Sequence, residues 1–112
     1  MHTEESCKKG RLAIKDTIDI VGGKWKLQLL TILMTGTRKF RELSREAGIS
    51  PKILSKELQE LEINGLVNRT VKDTKPVTVE YSLTSYSESL TDVFNSLEKW
   101  GHGHRQRIIG GS

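Results

Sequence analysis

The fold of this chain is decided by residues 50–62, SPKILSKELQELE. Ser50 is a typical helix N-cap, Pro51 a typical first helical residue, and Asn64-Gly65 a typical stop. At about 100° per residue, apolar side chains gather on one side of this helix and polar ones on the other. The apolar set is Leu54, Leu58 and Leu61, and the polar set is Lys52, Ser55, Lys56 and Gln59.

The polar side of this helix is positively charged and contains no acid. Lys52 and Lys56 lie one turn apart and repel each other by roughly 0.2–0.5 kcal/mol, whereas Glu57, Glu60 and Glu62 fall on the flanks or the back. A cationic stripe that begins at a helix N-terminus suits a polyanion. The stripe therefore has two interpretations: a nucleic-acid-reading helix, or an ordinary amphipathic helix with a solvated face.

Composition bounds the class of protein. The 112 residues fit one domain, and 35% hydrophobic with 29% charged residues is typical of a globular protein. The net charge of +4 permits a nucleic-acid partner. No apolar run approaches the roughly 18 residues of a membrane span, the N-terminus lacks a signal-peptide pattern, and a single cysteine cannot form an internal disulfide. We therefore expect a cytoplasmic protein with no membrane partner.

Upstream of residues 50–62 the pattern predicts a flexible segment, 1–10, and three helices. The helices are a short one over 11–21, a buried one over 24–34 and another short one over 38–47, joined to the next helix by Gly48-Ile49. Two helices around such a turn are typical of a helix-turn-helix. The predicted inward-facing side chains are Ile14, Ile18, Val21, Trp25, Leu29, Ile32, Leu33, Phe40, Leu43 and Ala47.

Downstream, the period changes from helical to alternating. Residues 66–72 and 77–83 read as two strands of a hairpin around a turn at 73–76. A helix-turn-helix followed by a basic hairpin is a winged helix. The predicted fold is thus mainly α with a small β-hairpin, an α+β winged helix-turn-helix domain over 11–104.

The end of the chain predicts a terminal helix over about 85–101, capped by Ser85 or Ser87, and a tail over 105–112. Its apolar stripe is wider than so small a domain can cover, so we expect it to pair with a second copy of the chain. The alternative is packing on its own domain. The predicted dimer-interface residues are Tyr86, Leu90, Val93, Phe94, Leu97 and Trp100.

Several motifs resemble those of the HxlR-type winged helix-turn-helix regulators, relatives of the MarR type. They are DIVGGKW at 19–25, KFREL at 39–43, GISPKIL at 48–54, LQELE at 58–62 followed by GLV at 65–67, and VEYSLT at 79–84. The resemblance covers about residues 7–100. It implies a homodimeric bacterial transcription regulator whose N- and C-terminal helices pair and whose recognition helices enter successive major grooves of double-stranded DNA.

The side-chain types around the helix-turn-helix and the hairpin suit base edges and phosphates. Lysine can reach guanine, glutamine can pair with adenine, and the first-turn N–H groups behind Ser50 can hold a phosphate. The predicted DNA-binding residues are Arg38, Lys39, Arg41, Ser50, Pro51, Lys52, Ser55, Lys56, Gln59, Arg69, Lys72 and Lys75.

The resemblance also suggests a sensor role for Cys7, because some members use a cysteine near this point to detect electrophiles or oxidants. Lys8 and Lys9 would stabilise its thiolate. The alternative is an unreactive surface thiol. The chain departs from the resemblance at two places: Lys8 stands where members often have proline, and Ser87 where they often have glycine.

Other chemistries find little support in the sequence. His102 and His104 lack a third ligand at useful spacing, so no metal site is predicted. Gly22-Gly23-Lys24 lacks the remaining positions of a phosphate loop, and no catalytic motif or cofactor site is evident. An electrophile or another small molecule remains a candidate effector. The alternative to a DNA-binding regulator is a protein-interaction module on the same fold without DNA-binding activity.

Overall fold

The structure is a computed structural model that describes residues 3–110. The outermost parts of the predicted flexible segment and tail, at positions 1–2 and 111–112, lie outside the described residues. The helices are α1 Glu4–Val21, α2 Lys26–Leu33, α3 Phe40–Ala47, α4 Pro51–Ile63 and α5 Thr91–Ile109, with a 3₁₀ turn at Tyr86–Leu90 before α5. The strands are β1 Arg38–Lys39, β2 Val67–Lys72 and β3 Thr78–Leu83. This arrangement confirms the predicted winged helix-turn-helix.

The three strands form one antiparallel sheet in the order β1-β3-β2. β2 and β3 make the predicted hairpin, in which Val67 lies opposite Leu83 and Lys72 opposite Thr78. β1 was missed: the sequence predicted a helix from Arg38, but the two residues before α3 pair with β3 instead. A strand of two residues offers no alternation for a sequence pattern to reveal.

The core lies between the helices and the sheet. Its centre is leucine-rich, and α4 contributes Leu54, Leu58 and Leu61, as its periodicity predicted. Trp25, Ile32, Phe40 and Ala47 pack against the core and are only partly buried. The buried hydrophobic residues are Val21, Leu29, Leu30, Leu33, Leu43, Ile49, Leu54, Leu58, Leu61, Leu66, Val67, Tyr81 and Phe94.

The first helix begins earlier than predicted. Thr3 caps it, because its Oγ1 accepts the Ser6 N–H at 3.0 Å, and the glutamates of the first turn suit the positive end of the helix dipole. Gly10, which weakens a helix, concealed this start in the sequence. The expectation of a flexible segment before Arg11 is therefore wrong from Glu4 onward.

The inward-facing assignment on α1 also needs correction. Val21 in its last turn is buried, but Ile14 and Ile18 are 65% and 59% exposed. Most of α1 projects away from the rest of the described chain, so it has no domain surface on which to bury this face.

The last helix is longer than predicted. α5 continues to Ile109, so most of the expected tail is helical, and Gly101 and Gly103 lie inside the helix. The Trp100 ring stacks on the imidazole of His104, with centroids 5.0 Å apart, across this glycine-containing turn. This contact stabilises a stretch that helix propensity alone would predict to end.

Ser85 stands at the N-cap of the 3₁₀ turn, but its side chain makes no capping hydrogen bond, and Ser87 lies within the turn. Thr84 supplies that hydrogen bond instead, because its Oγ1 accepts the Ser87 N–H at 3.2 Å. The Ser87 side chain is buried and donates its hydroxyl proton to the Leu66 carbonyl. Ser87 therefore ties the start of the 3₁₀ turn to the residues that follow α4.

Candidate nucleic-acid interface

The turn between α3 and α4 fixes the angle of the two helices. Gly48 adopts the left-handed conformation (φ 68°, ψ 36°), which favours glycine, and Ile49 is buried in the corner. The Ser44 Oγ donates to the Ile49 carbonyl at 2.7 Å. These contacts confirm the predicted helix-turn-helix and hold α4 rigidly against the core.

The predicted polar side of α4 is exposed along its length. Ser50 accepts the Ile53 N–H at 3.3 Å and so begins the helix where the sequence predicted. The polar groups along this side are positive or neutral, and the exposed Glu62 lies at its edge. The exposed side chains on this side are Pro51, Lys52, Ser55, Lys56 and Gln59.

Two of the three acids of α4 are held by an ion pair with α2, whereas Glu62 is exposed on its flank. Lys26 of α2 donates to Glu57 at 2.5 Å and also to Glu60, and its side chain is only 12% exposed. Partial burial lowers the pKa of Lys26, but the hydrogen bonds and charges of the two glutamates outweigh it, so its pKa lies above the ordinary 10.5. The hydrogen bond and charge of Lys26, with a smaller contribution from the charge of Lys56, lower the pKa of Glu60 below the ordinary 4.5. Lys26 thus draws two carboxylates away from the cationic side of α4.

Between the helix-turn-helix and the hairpin lies an open cleft. It joins side chains from α3, α4, β2 and β3, and among the described residues none of those that line it is acidic. Its apolar walls include Phe40 and Val79. Its polar lining comprises Lys39, Arg41, Ser55, Arg69, Thr78 and Tyr81. Because Ser55 belongs both to the cleft and to the polar side of α4, the two form one continuous surface.

Arg38 does not join this surface as predicted. Its guanidinium donates to Glu46 Oε1 at 2.8 Å, to Thr35 Oγ1 at 2.8 Å and to the Gly36 carbonyl at 3.0 Å. Its side chain is 22% exposed. These bonds brace the turn before α3 and occupy the guanidinium, so the structure gives Arg38 a structural role that the sequence did not predict.

The remaining predicted contacts lie on exposed positions. Lys39 and Arg41 flank the start of α3, while Lys72 and Lys75 are exposed toward the end of the hairpin. Arg69 lies on β2 directly opposite Tyr81. The structure therefore brings Lys39, Arg41, Ser55 and Arg69 together around the cleft.

The two terminal helices leave apolar side chains uncovered. On α5, Leu97 is 51% and Trp100 70% exposed, and Tyr86 before it is 65% exposed. Val93 lies partly open and Leu90 is half-buried. Phe94, by contrast, is 6% exposed and belongs to the core. Its assignment to a dimer interface is corrected, because the first turns of α5 pack on the domain before the helix projects outward.

Cys7 lies on α1, is half-buried and is a free thiol. His102 lies 3.4 Å from Glu98, whereas His104 faces Trp100, so the two imidazoles serve different contacts. Within residues 3–110 no group of three metal-ligating side chains comes together. No helix in the same range is long and apolar enough to cross a membrane.

Sequence reasoning missed Lys26 and Tyr81. Lys26 sits in the buried helix, where its partners lie 31 and 34 residues away and leave no local signal. Tyr81 was read only as one apolar position of a strand. Tyr81 lies opposite Arg69 because of the register of the hairpin. The sequence could have given that register if the exact length of the turn had been predicted.

Comparison with known proteins agrees with this geometry. Residues 20–108 match the model of the HxlR-like helix-turn-helix family. The HTH-type transcriptional regulator YtcD of Bacillus subtilis is 38% identical over 104 residues, covering 92% of this chain and 82% of YtcD.

Solved structures give the same result. The crystal structure of YtcD superposes with a TM-score of 0.79, covering 84% of this chain and 97% of that one at 38% identity. The redox regulator HypR in its reduced form superposes with a TM-score of 0.81 at 33% identity, covering 88% of this chain and 98% of HypR. The chain therefore belongs to the HxlR-like helix-turn-helix family of transcriptional regulators.

Proposed function

We propose that this protein is a sequence-specific transcription regulator that binds double-stranded DNA as a homodimer. The observation that carries the proposal is the acid-free cationic side of α4. Lys52 and Lys56 are exposed there, while Lys26 holds Glu57 and Glu60 on the other side. A helix of 13 residues with this face fits the major groove, and the cleft and hairpin lie beside it.

The chemistry of each side chain indicates whether it contacts a base or a phosphate. Lys52, Ser55, Lys56 and Gln59 reach base edges, where lysine recognises guanine and glutamine recognises adenine. The N–H groups of the first turn of α4 bind a phosphate. Lys39, Arg41, Arg69, Lys72 and Lys75 contact the backbone on either side and set the register.

The homodimer is supported by the uncovered helices. α1 and α5 have 18 and 19 residues and each buries only one side chain within the described chain. Helices of this length gain most of their stability from packing an apolar face. A second copy, related by a two-fold axis, supplies that packing and places two copies of α4 about one DNA turn apart.

The experiment is an anisotropy titration with a duplex selected from a random pool by the parent protein. Lys52→Ala/Lys56→Ala is expected to weaken binding by well over tenfold at moderate salt, since each lysine contributes at least one charge-assisted contact. Lys8→Ala/Lys9→Ala removes the same charge from α1 and is the matched control. Equal binding by the parent and the α4 variant would contradict the proposal. Absence of any duplex binding at low salt would favour the protein-interaction module.

A thiol response is the finer part of the proposal. HypR is a redox regulator solved in oxidised and reduced forms, and Cys7 of this chain is a free thiol on α1. With a single cysteine, oxidation by diamide would join the Cys7 thiols of two protomers, with loss of two protons and two electrons to the diamide. Release of the selected duplex on adding diamide, unchanged in Cys7→Ser, would contradict this role.

A further inference from the structure

The cleft between α3 and the hairpin contains a tyrosine whose hydroxyl has no partner. Tyr81 is only 7% exposed, and its ring packs against Phe40 with centroids 6.4 Å apart. Within residues 3–110 the Tyr81 hydroxyl makes no hydrogen bond, and yet no fully enclosed side-chain oxygen or nitrogen there lacks one. The hydroxyl must therefore reach solvent, and Tyr81 does so as part of the cleft lining.

A tyrosine hydroxyl that opens into a cleft without a protein partner is available to donate a hydrogen bond to a ligand bound there. The charged groups around it are all donors. Lys39 and Arg41 come from the start of α3, and Arg69 lies directly opposite Tyr81 in the antiparallel pair of strands, so the two side chains share one face of the sheet. Donors around an open cleft select an oxyanion.

We propose that this cleft is a binding slot for one DNA backbone phosphate, in which the Tyr81 hydroxyl donates to a phosphate oxygen beside Arg69. The inference rests on the proposed DNA-binding function and adds a neutral donor to its backbone contacts. The cleft shares Ser55 with the polar side of α4. A phosphate at the edge of the major groove that receives α4 therefore lies at the cleft mouth, and an open cleft of this kind suits a chain-linked phosphate better than an enclosed small molecule.

Tyr81→Phe tests the slot because it removes one hydroxyl and keeps the ring. It is expected to weaken binding of the selected duplex by roughly tenfold for each protomer, and so by about a hundredfold for the dimer, as for a hydrogen bond to a charged group. The thermal midpoint of unfolding should not change, because the hydroxyl has no protein partner to lose. The salt dependence should not change either, since a neutral group displaces no counterion, whereas Arg69→Gln should lower the slope by about 0.9 per protomer.

Thr31→Val is the control. It likewise removes one hydroxyl, from an exposed residue of α2 outside the cleft, and it should bind like the parent. Binding by Tyr81→Phe equal to that of the parent would overturn the slot while leaving the proposed function intact. Failure of the parent to bind any duplex would overturn the proposed function itself.

A second measurement identifies the phosphate. Neutral methylphosphonates replace the backbone phosphates of the selected duplex one at a time, and each duplex is titrated with the parent and with Tyr81→Phe. At one position per half-site the two losses should fail to add, because each removes the same contact. Additive losses at every position would mean that the hydroxyl serves some other anion, and the slot for DNA would be rejected.

Discussion

Replacing Lys26 with methionine tests how α4 is held. Lys26 bridges α2 to Glu57 and Glu60, and the side chains of Lys26 and Glu57 are only 12% and 15% exposed. Lys26→Met keeps the length of the aliphatic stem but leaves the Glu57 carboxylate with little water and no cation. An unpaired, mostly buried charged group costs about 1–3 kcal/mol. For a domain of this size that lowers the thermal midpoint by roughly 5–15 °C.

The assay is thermal and urea denaturation followed by far-ultraviolet circular dichroism at one fixed protein concentration, because dimerisation makes the midpoint depend on concentration. Adding Glu57→Gln to Lys26→Met should recover part of the loss, since it removes the stranded charge. Lys15→Met is the matched control: its pair with Asp19 is exposed on α1, and its loss should leave the midpoint unchanged. A Lys26→Met protein as stable as the parent, or a double variant less stable than the single one, would refute this reasoning.

Further outcomes follow from the same contacts. The pKa of Glu60 is lowered, so its contribution to stability is present above pH 4.5 and is lost as the pH falls further. The pKa of Lys26 is raised, so its contribution is present below pH 10.5 and is lost above it. The difference in stability between the parent and Lys26→Met should therefore narrow in acid, which denaturation at two pH values would show. Phe94→Ala should cost about 3–5 kcal/mol of folding free energy, because the side chain is in the core, and a fully folded monomer would contradict that placement. Trp100→Glu should yield monomers in sedimentation equilibrium, whereas Val71→Glu, which introduces the same charge at a 54% exposed residue of β2, should remain dimeric.

The sequence predicted those parts of the fold whose signals are local. α4 combines an N-cap, an N1 proline, a clean period and a glycine stop, and the structure agrees with it nearly residue by residue. The hairpin was predicted from alternation, and the turn between α3 and α4 from Gly48, which adopts the left-handed conformation that favours glycine.

The incorrect predictions concern features that depend on contacts distant in sequence, or on interactions that keep a helix intact across a glycine. β1 exists because β3, some forty residues later, offers it an edge. The Trp100–His104 stack carries α5 through glycines that would otherwise end it, and Thr3 starts α1 before a glycine. In the sequence Phe94 is one of several residues on an apolar stripe. Only the angle of α5 on the domain makes Phe94 buried and Leu97 exposed.

The candidate site shows the same division. Residue types and spacing placed the polar side of α4 correctly, since helix periodicity decides which side chains share a face. They could not show that the Arg38 guanidinium is bound within the protein, because its acceptors at Thr35, Gly36 and Glu46 are brought to it by the fold of the turn before α3. Nor could they show that Lys26 forms ion pairs with Glu57 and Glu60, or that Tyr81 opens into a cationic cleft.

The most direct test of the central claim is the salt dependence of duplex binding. The logarithm of the binding constant of the parent for its selected duplex should fall linearly and steeply with the logarithm of salt concentration. Lys52→Ala/Lys56→Ala should reduce that slope by up to about 3.6, at about 0.9 for each of four lysines in a dimer when all four meet phosphates, and by less in proportion as a lysine meets a base instead. Lys8→Ala/Lys9→Ala should keep the parent slope. A parent slope near zero, or one that the α4 substitutions leave unchanged, would contradict the assignment of α4 as the DNA-binding helix.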